Sequence, residues 1–160
     1  MSGIFGMNIK MAIYGESHGK SIGVVLDGLP PGLALDEAAI AAEMARRAPG
    51  QNALSTARKE SDTVEIQSGF FNGFTTGTPL CARIVNSDQH SKDYSILADK
   101  MRPGHADYAG HVRYQGFNDY RGGGHFSGRL TAPLVFAGAV AKQALAQYGI
   151  IVGSHILQIN

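Results

Sequence analysis

Three short motifs in this chain carry histidine, arginine and glycine in patterns suited to binding an anion and moving protons around it. They read Gly-Glu-Ser-His-Gly at residues 15–19, Arg-Pro-Gly-His-Ala-Asp at residues 102–107, and Asp-Tyr-Arg-Gly-Gly-Gly at residues 119–124. Because glycine has no Cβ, the backbone N–H groups of the triplet can approach a ligand, and a helical pattern follows soon after. The motifs together predict an enzyme that holds a multiply charged anion.

The motif histidines, His18 and His105, are the candidates for proton transfer, because imidazole titrates near neutral pH. His18 follows a predicted strand, and its flanking glycines predict a side chain exposed at a sheet edge, which Glu16 could orient. His105 lies in a Pro-Gly turn, where Asp107 could fix its tautomer. The alternative is that each is an ordinary loop histidine. The other histidines lack zinc-ligand spacing, so we predict no protein-held metal.

Arg102 and Arg129 are the strongest candidates for anion binding, because each lies in a glycine-rich motif. A guanidinium group binds carboxylate or phosphate through two parallel hydrogen bonds and stays charged when it is desolvated. Arg47 and Arg58 are further cationic candidates, although a basic residue near a helix end also suits the helix dipole. We interpret the remaining arginines near these motifs as solvated: Arg46, Arg113 and Arg121.

Composition excludes several classes of protein. The chain has 160 residues, 44% of them hydrophobic, which suits one folded domain and not a disordered segment. The net charge of +1 offers no basic surface for nucleic acid. The single cysteine, Cys81, excludes an intrachain disulfide and is expected to be a buried small residue in a strand. We find no signal peptide or membrane-spanning run, and expect a cytoplasmic protein.

Hydrophobic periodicity predicts the elements that must position these motifs. Strands are expected at residues 8–14, 21–26, 64–70, 80–85 and 150–159. Asp36 is a good N-cap for a helix that ends before Pro49, and residues 132–148 predict a second helix that ends at Gly149. Residues 87–125 lack periodicity, which is typical of a functional or ligand-ordered connection. The sequence therefore predicts a mixed α+β sandwich, and its end within a strand predicts a fragment of a longer protein.

The glycine triplet is not a common nucleotide-binding motif, since it lacks Gly-Lys-Ser/Thr and no strand immediately precedes it. The three motifs instead resemble the signatures of the chorismate synthase family. Ser127, Arg129 and Thr131 extend the third motif as in that family, and residues 27–32, 75–78 and 86–95 resemble its connecting sequence. The resemblance runs in one order from about residue 15 to the end of the chain.

The resemblance implies the fold and the reaction. Members of the family have a β-α-β sandwich fold, are about twice as long as this chain, and form homotetramers. Residues 1–160 would be a single-domain N-terminal fragment without an internal linker, and inactive by itself. The family uses reduced FMN to eliminate phosphate from 5-enolpyruvylshikimate 3-phosphate (EPSP) in an anti-1,4 sense. The product, chorismate, completes the last common step of the shikimate pathway to the aromatic amino acids.

The resemblance also implies roles for individual residues. Four side chains would bind the substrate: Ser17, Arg47, Arg102 and Arg129. Four residues would contact the cofactor: His105, Gly123, Gly124 and Ser127. His18 would act as a general acid near the departing phosphate or the flavin. His105 would lie against the flavin and favour its anionic reduced form.

The chain differs from the family pattern at a few positions. The family commonly reads Arg-Ser-Ser-Ala-Arg-Glu-Thr after its glycines, whereas His125, Phe126 and Leu130 replace the first arginine, a serine and the glutamate here. The first predicted helix ends in two arginines and not three. Ala53 stands where a further arginine is common, and Arg58 could compensate for it.

Two alternatives compete with the enzyme. A non-catalytic flavin- or anion-binding paralogue of the same fold would be expected to lack a catalytic histidine or part of the arginine cage, but His18, His105, Arg102 and Arg129 are all present. A glycine-rich RNA-binding protein is excluded by the net charge and by the lack of repeated Arg-Gly-Gly units.

Overall fold

The computed structural model describes residues 3–48, 62–87, 94 and 97–158. The strands are β1 (Ile4–Phe5), β2 (Lys10–Gly15), β3 (Ser21–Asp27), β4 (Val64–Ser68), β5 (Phe70–Phe71), β6 (Phe74–Thr75) and β7 (Leu80–Val85). The α-helices are α1 (Glu37–Arg47), α2 (Asp107–Arg113) and α3 (Thr131–Ala146). Ala53, Arg58 and residues 88–93 lie outside the described residues.

An antiparallel sheet with the strand order β1-β2-β3-β7-β4 supports the helices on one face. The central strands alternate as sequence periodicity predicts, because successive side chains point to opposite faces of a sheet. Ile22 and Val24 of β3 and Leu80 of β7 are fully buried on the helix side. Cys81 lies in β7, as predicted, but is only half-buried because it belongs to the opposite face.

The capping and dipole signals in the sequence explain helix α1. The Asp36 side chain accepts hydrogen bonds from the N–H groups of Ala38 and Ala39, and Glu37 occupies the first turn. Ala48 is extended, as expected for a residue that precedes a proline. The helix packs Ile40 and Met44 into the core.

Helix α3 crosses the buried face of the sheet and packs against α1. Its sequence is apolar on most sides, and Phe136, Ala139 and Val140 are buried against the strands. Pro133 lies in the first turn, where a missing N–H group does not interrupt the helix. No helix in the described ranges combines the length and the apolar character that crossing a membrane requires.

Two predictions of secondary structure differ from the structure. Residues 150–158 form no strand, because no described strand lies beside them to complete the ladder and their side chains are exposed. The predicted connection over residues 87–125 contains helix α2, together with a 3₁₀ segment that begins at Arg121. The α+β class is confirmed, and the sheet with its helical layer is the scaffold on which the three motifs meet.

Candidate active site

The glycine triplet lies directly against both motif histidines. Gly122, Gly123 and Gly124 have φ values of 57°, 85° and 54°, a region that side-chain-bearing residues rarely adopt. A Cβ at Gly122 would collide with the imidazole of His18, and a Cβ at Gly123 would collide with that of His105. The glycines therefore allow a close approach of the loop to two rings, besides any approach to a ligand.

His18 is held in a buried turn between β2 and β3. The N–H group of Ser17 donates to the carbonyl of Gly124 at 3.0 Å, which joins the turn to the glycine loop. The Asn86 amide donates to the carbonyls of Glu16 at 3.0 Å and Gly19 at 2.8 Å, so it closes the turn. His18 is 5% exposed, and the expectation of an exposed side chain at the sheet edge is wrong. The glycine loop covers the ring.

Asp107, the first residue of α2, holds Arg102 and His105 together. The Arg102 guanidinium donates to the carboxylate through Nε at 2.8 Å and Nη2 at 3.0 Å. The Nδ1 atom of His105 lies 2.6 Å from Oδ1 of the same carboxylate, as the sequence spacing predicted. The hydrogen bonds from Arg102 lower the pKa of Asp107 to about 2, so this carboxylate is charged at neutral pH.

Arg129 lies in a second cluster, built from distant parts of the chain. Its side chain is buried, its Nη1 pairs with the carboxylate of Asp62, and its Nε donates to the Asn86 side-chain oxygen at 3.2 Å. Its backbone N–H donates to the hydroxyl of Ser127 at 3.3 Å, so Ser127 caps the short 3₁₀ turn that presents the arginine.

Arg47 reaches the same cluster from the last turn of α1. Its Nη1 donates to Oδ2 of Asp62 at 2.5 Å, while Nη2 donates to the carbonyl of Gly128 and the hydroxyl of Thr131, both at 3.4 Å. Asp62 thus bridges Arg47 and Arg129, two arginines that the sequence had marked as candidates.

The structure brings all nine residues expected in the site into one connected set. Ser17, His18, Arg102 and His105 adjoin the glycine triplet, while Arg47, Ser127 and Arg129 form the neighbouring cluster. Asn86 links the two groups, because one amide contacts both the His18 turn and Arg129.

Sequence analysis missed two organising residues. It did not single out Asp62, and it included Asn86 only within residues 86–95 of the family resemblance. An acidic residue two positions before a predicted strand is a weak signal, because such residues are common. Sequence spacing could not have shown that Asp62 contacts Arg129, because the two residues are separated by 67 positions.

Two other residues near the triplet have defined contacts. His125, one of the departures from the family pattern, places Nδ1 2.8 Å from the carbonyl of Gly15 and so supports the strand that leads to His18. Arg121, interpreted from sequence as solvated, is only partly exposed and pairs with Asp119 at 2.6 Å. The hydrogen bond from Arg121 lowers the pKa of Asp119.

The functional groups gathered at the site are imidazole, guanidinium, carboxylate and hydroxyl groups. Among the residues that the structure describes, no three histidine, cysteine, aspartate or glutamate side chains are grouped so that they could hold an ion.

A family model, curated relatives and a solved structure all indicate the same family. A family model described as chorismate synthase matches residues 9–160, which extends the likeness beyond the start expected near residue 15. The chorismate synthase of Cytophaga hutchinsonii is 49% identical over 160 residues, covering 100% of this chain and 44% of that protein. The chorismate synthase of Sulfurimonas denitrificans is 52% identical over 156 residues, covering 98% of this chain and 43% of that protein.

The structural comparison agrees. A solved structure titled "Crystal Structure of Chorismate Synthase" matches with a TM-score of 0.64 and 33% sequence identity, covering 91% of this chain and 36% of that chain. The chain thus spans less than half the length of the relatives it matches. These comparisons do not favour the non-catalytic paralogue. On the family match, the sequence identities and the shared fold, the chain belongs to the chorismate synthase family.

Proposed function

We propose that this chain is the N-terminal portion of a chorismate synthase, a lyase that eliminates phosphate from EPSP in an anti-1,4 sense to give chorismate. The observation that carries the proposal is the meeting of His18 and His105 on one glycine loop, with Arg102 beside His105. Two imidazoles and a guanidinium around a loop without Cβ atoms suit a reaction in which an anion leaves and a proton is transferred.

The arginines account for substrate binding. EPSP carries two carboxylates and a phosphate, so its site needs several cations that stay charged when water is excluded. Arg102 and Arg129 are the central ligands in this proposal, and Arg47 and the hydroxyl of Ser17 complete the set. Asp107 and Asp62 hold three of these guanidinium groups in fixed orientations before the substrate arrives.

His18 is the general acid in this proposal. Its ring is buried under Gly122, which restricts the access of bulk water to the imidazole. Transfer of one proton to the departing phosphate lowers its negative charge and makes it a better leaving group, and imidazole groups can serve as proton donors near neutral pH. Ser17 and Asn86 fix the turn that carries the ring.

The residues fit the reduced FMN that the family implies. Arg102 and His105 form a donor set held by one carboxylate, which suits an anionic ring, and Gly123 leaves no side chain between the loop and His105. When bound, reduced FMN supplies electron density to the elimination. His105, Gly123, Gly124 and Ser127 would hold it, and His105 would favour its anionic form.

The test is an anaerobic assay of the complete protein with EPSP and chemically reduced FMN. Phosphate release and chorismate absorbance should rise together, and both should vanish when only oxidised FMN is supplied. Binding of FMN and EPSP without turnover would contradict the proposal and leave a non-catalytic binding protein. The homotetramer and the cytoplasmic location that the family implies stay predictions, and gel filtration of the complete protein tests the first.

A further inference from the structure

We propose that Asp62 is a positioning residue that holds Arg47 and Arg129 together as one anion-binding unit. Its carboxylate meets Arg47 through Oδ2 at 2.5 Å and Arg129 through Oδ1. Each oxygen thus serves a different guanidinium, one from helix α1 and one from the turn before α3. The identity of the physiological anion, EPSP, rests on the proposed function, but the role of Asp62 as an organiser does not.

Charge and burial explain why this position needs a carboxylate. The side chains of Asp62 and Arg129 are 0% and 4% exposed, and that of Arg47 is 20% exposed. Two guanidinium groups this close repel each other, and a buried charge without a counter-ion is strongly destabilising. Arg47, Asp62 and Arg129, here called the triad, together carry a net charge of +1. The carboxylate offsets the repulsion between the two guanidinium groups, and the remaining positive charge can attract an anion.

The backbone fixes the carboxylate from the other side. Asp62 has a φ of 48°, in the left-handed region that aspartate and asparagine tolerate better than most side chains. It lies two residues before β4, which is paired with the central part of the sheet through β7. A short acidic side chain just before a paired strand is therefore placed with little freedom.

The triad also connects to the proton-transfer region. Arg129 donates through Nε to Asn86, and the amide of Asn86 holds the carbonyls of Glu16 and Gly19 on either side of His18. Asp62 sets the orientation of Arg129, and Arg129 lies one hydrogen bond from the residue that closes the His18 turn. Its influence on the reaction is therefore through Arg47 and Arg129, and not by contact with the reacting atoms.

The experiment replaces Asp62 in the complete protein and measures anion affinity with inorganic phosphate by isothermal titration calorimetry. Asp62→Asn keeps the shape and the backbone tolerance, but its NH2 group faces a guanidinium and cannot accept a hydrogen bond. We expect the dissociation constant of phosphate to rise at least tenfold. The KM for EPSP should rise by a similar factor, while kcat changes less than about threefold.

Glu65→Gln is the matched control. Glu65 also pairs with an arginine, Arg83, at 2.7 Å, but both side chains are close to half-exposed on the sheet. Removing its charge should leave phosphate affinity and the KM within twofold of the wild type, because exposed pairs contribute little.

The outcomes separate this proposal from the proposed function. Phosphate affinity that is unchanged or tighter in Asp62→Asn would overturn the positioning role. If phosphate binding depends on Asp62 but the wild type does not convert EPSP, the positioning role stands and the proposed function fails. Should Asp62→Asn not fold, Asp62→Glu keeps the charge and displaces it. It should weaken phosphate binding at least threefold, and wild-type affinity in that variant would overturn the proposal.

Discussion

The two arginine–aspartate clusters differ in how far apart along the chain their members lie. Arg102 and Asp107 are separated by 5 positions, whereas Asp62 and Arg129 are separated by 67. Arg102 and Asp107 belong to one turn, and Asp107 also contacts the ring of His105. The second pair requires the sheet, helix α1 and the turn before α3, and through Asn86 it reaches the His18 turn.

This difference has a physical consequence for the two imidazoles. A local pair forms with little loss of chain entropy, so the contact of His105 with Asp107 is retained as long as one turn is intact. The surroundings of His18 form only when distant segments have folded together. We therefore expect the packing of His18 to depend on the whole fold, whereas the contact between His105 and Asp107 depends mainly on its own turn.

His18→Ala should have the largest effect on the reaction. Loss of a positioned proton donor costs roughly 10²–10⁴ in rate, and the sheet and helices should be retained because His18 lies in a turn outside the hydrophobic core. Turnover of the complete protein and its circular dichroism spectrum provide the two readouts. His111→Ala, which removes an exposed ring of α2, is the control. A loss of less than threefold for His18→Ala would contradict its assignment as the general acid.

Gly122→Ala tests whether the loop positions His18. The new Cβ would collide with the imidazole, and we expect turnover to fall by roughly 10², the usual cost of an ångström-scale misplacement. Gly73→Ala is a matched control, since Gly73 also has a positive φ of 85° but open space around it. Both variants carry a backbone cost of roughly 1–2 kcal/mol. Equal turnover in the two variants would mean that the contact with His18 is unimportant.

Asn86→Ala breaks the long-range connection between the clusters. It removes an acceptor for Arg129 and two donors to the His18 turn, and we expect it to lower the free energy of unfolding by roughly 1–3 kcal/mol. Chemical denaturation of the complete protein measures this change. Asn86→Asp keeps the acceptor toward Arg129 and should reduce turnover less than Asn86→Ala does. The reverse order would show that the contacts with the two carbonyls matter more than the contact with Arg129.

The Arg102–Asp107 pair predicts a pH dependence of stability. The folded-state pKa of Asp107 is about 2, below the ordinary value of 3.8. The charged pair therefore stabilises the fold above pH 4. That contribution, of about 2 kcal/mol, is lost as the pH falls from 4 toward 2. Denaturation across this range should give a steeper decline for the wild type than for Asp107→Asn. Parallel curves would mean that the pair adds no net stability.

Arg46→Ala should have the smallest effect. The side chain is 75% exposed and pairs with Glu43 at 2.8 Å, one turn away on the surface of α1. Such pairs contribute roughly 0–1 kcal/mol, so thermal unfolding and KM should hardly change. Arg47→Ala, the neighbouring substitution, should instead raise the KM for EPSP, because it breaks the contact with Asp62. Similar KM values in both variants would show that Arg47 does not contribute to substrate binding.

Most of the fold that positions the site could be predicted from the sequence. Alternation in β3 and β7 and the Asp36 cap of α1 are local signals, and the structure confirms them. Helix α2 was missed because it is short and buries only Asp107 and Gly110, which leaves no apolar periodicity to detect.

The contacts within the site were predictable only where the partners are close together in the sequence. Spacing alone placed Asp107 beside His105, whereas the burial of His18 depends on a loop more than a hundred positions away, as the contact between Ser17 and Gly124 shows. The bridging role of Asp62 is a property of the packed sheet and helices. A local sequence pattern cannot predict a contact partner that lies in a distant segment of the chain.

The glycine loop has a mechanical consequence, because one short segment forms a wall beside two different rings. With Gly122 against His18 and Gly123 against His105, a shift of the backbone by even a fraction of an ångström changes the surroundings of both imidazoles. The two rings therefore cannot be adjusted independently. Any ligand that moves this loop therefore changes the packing around both rings in a single displacement.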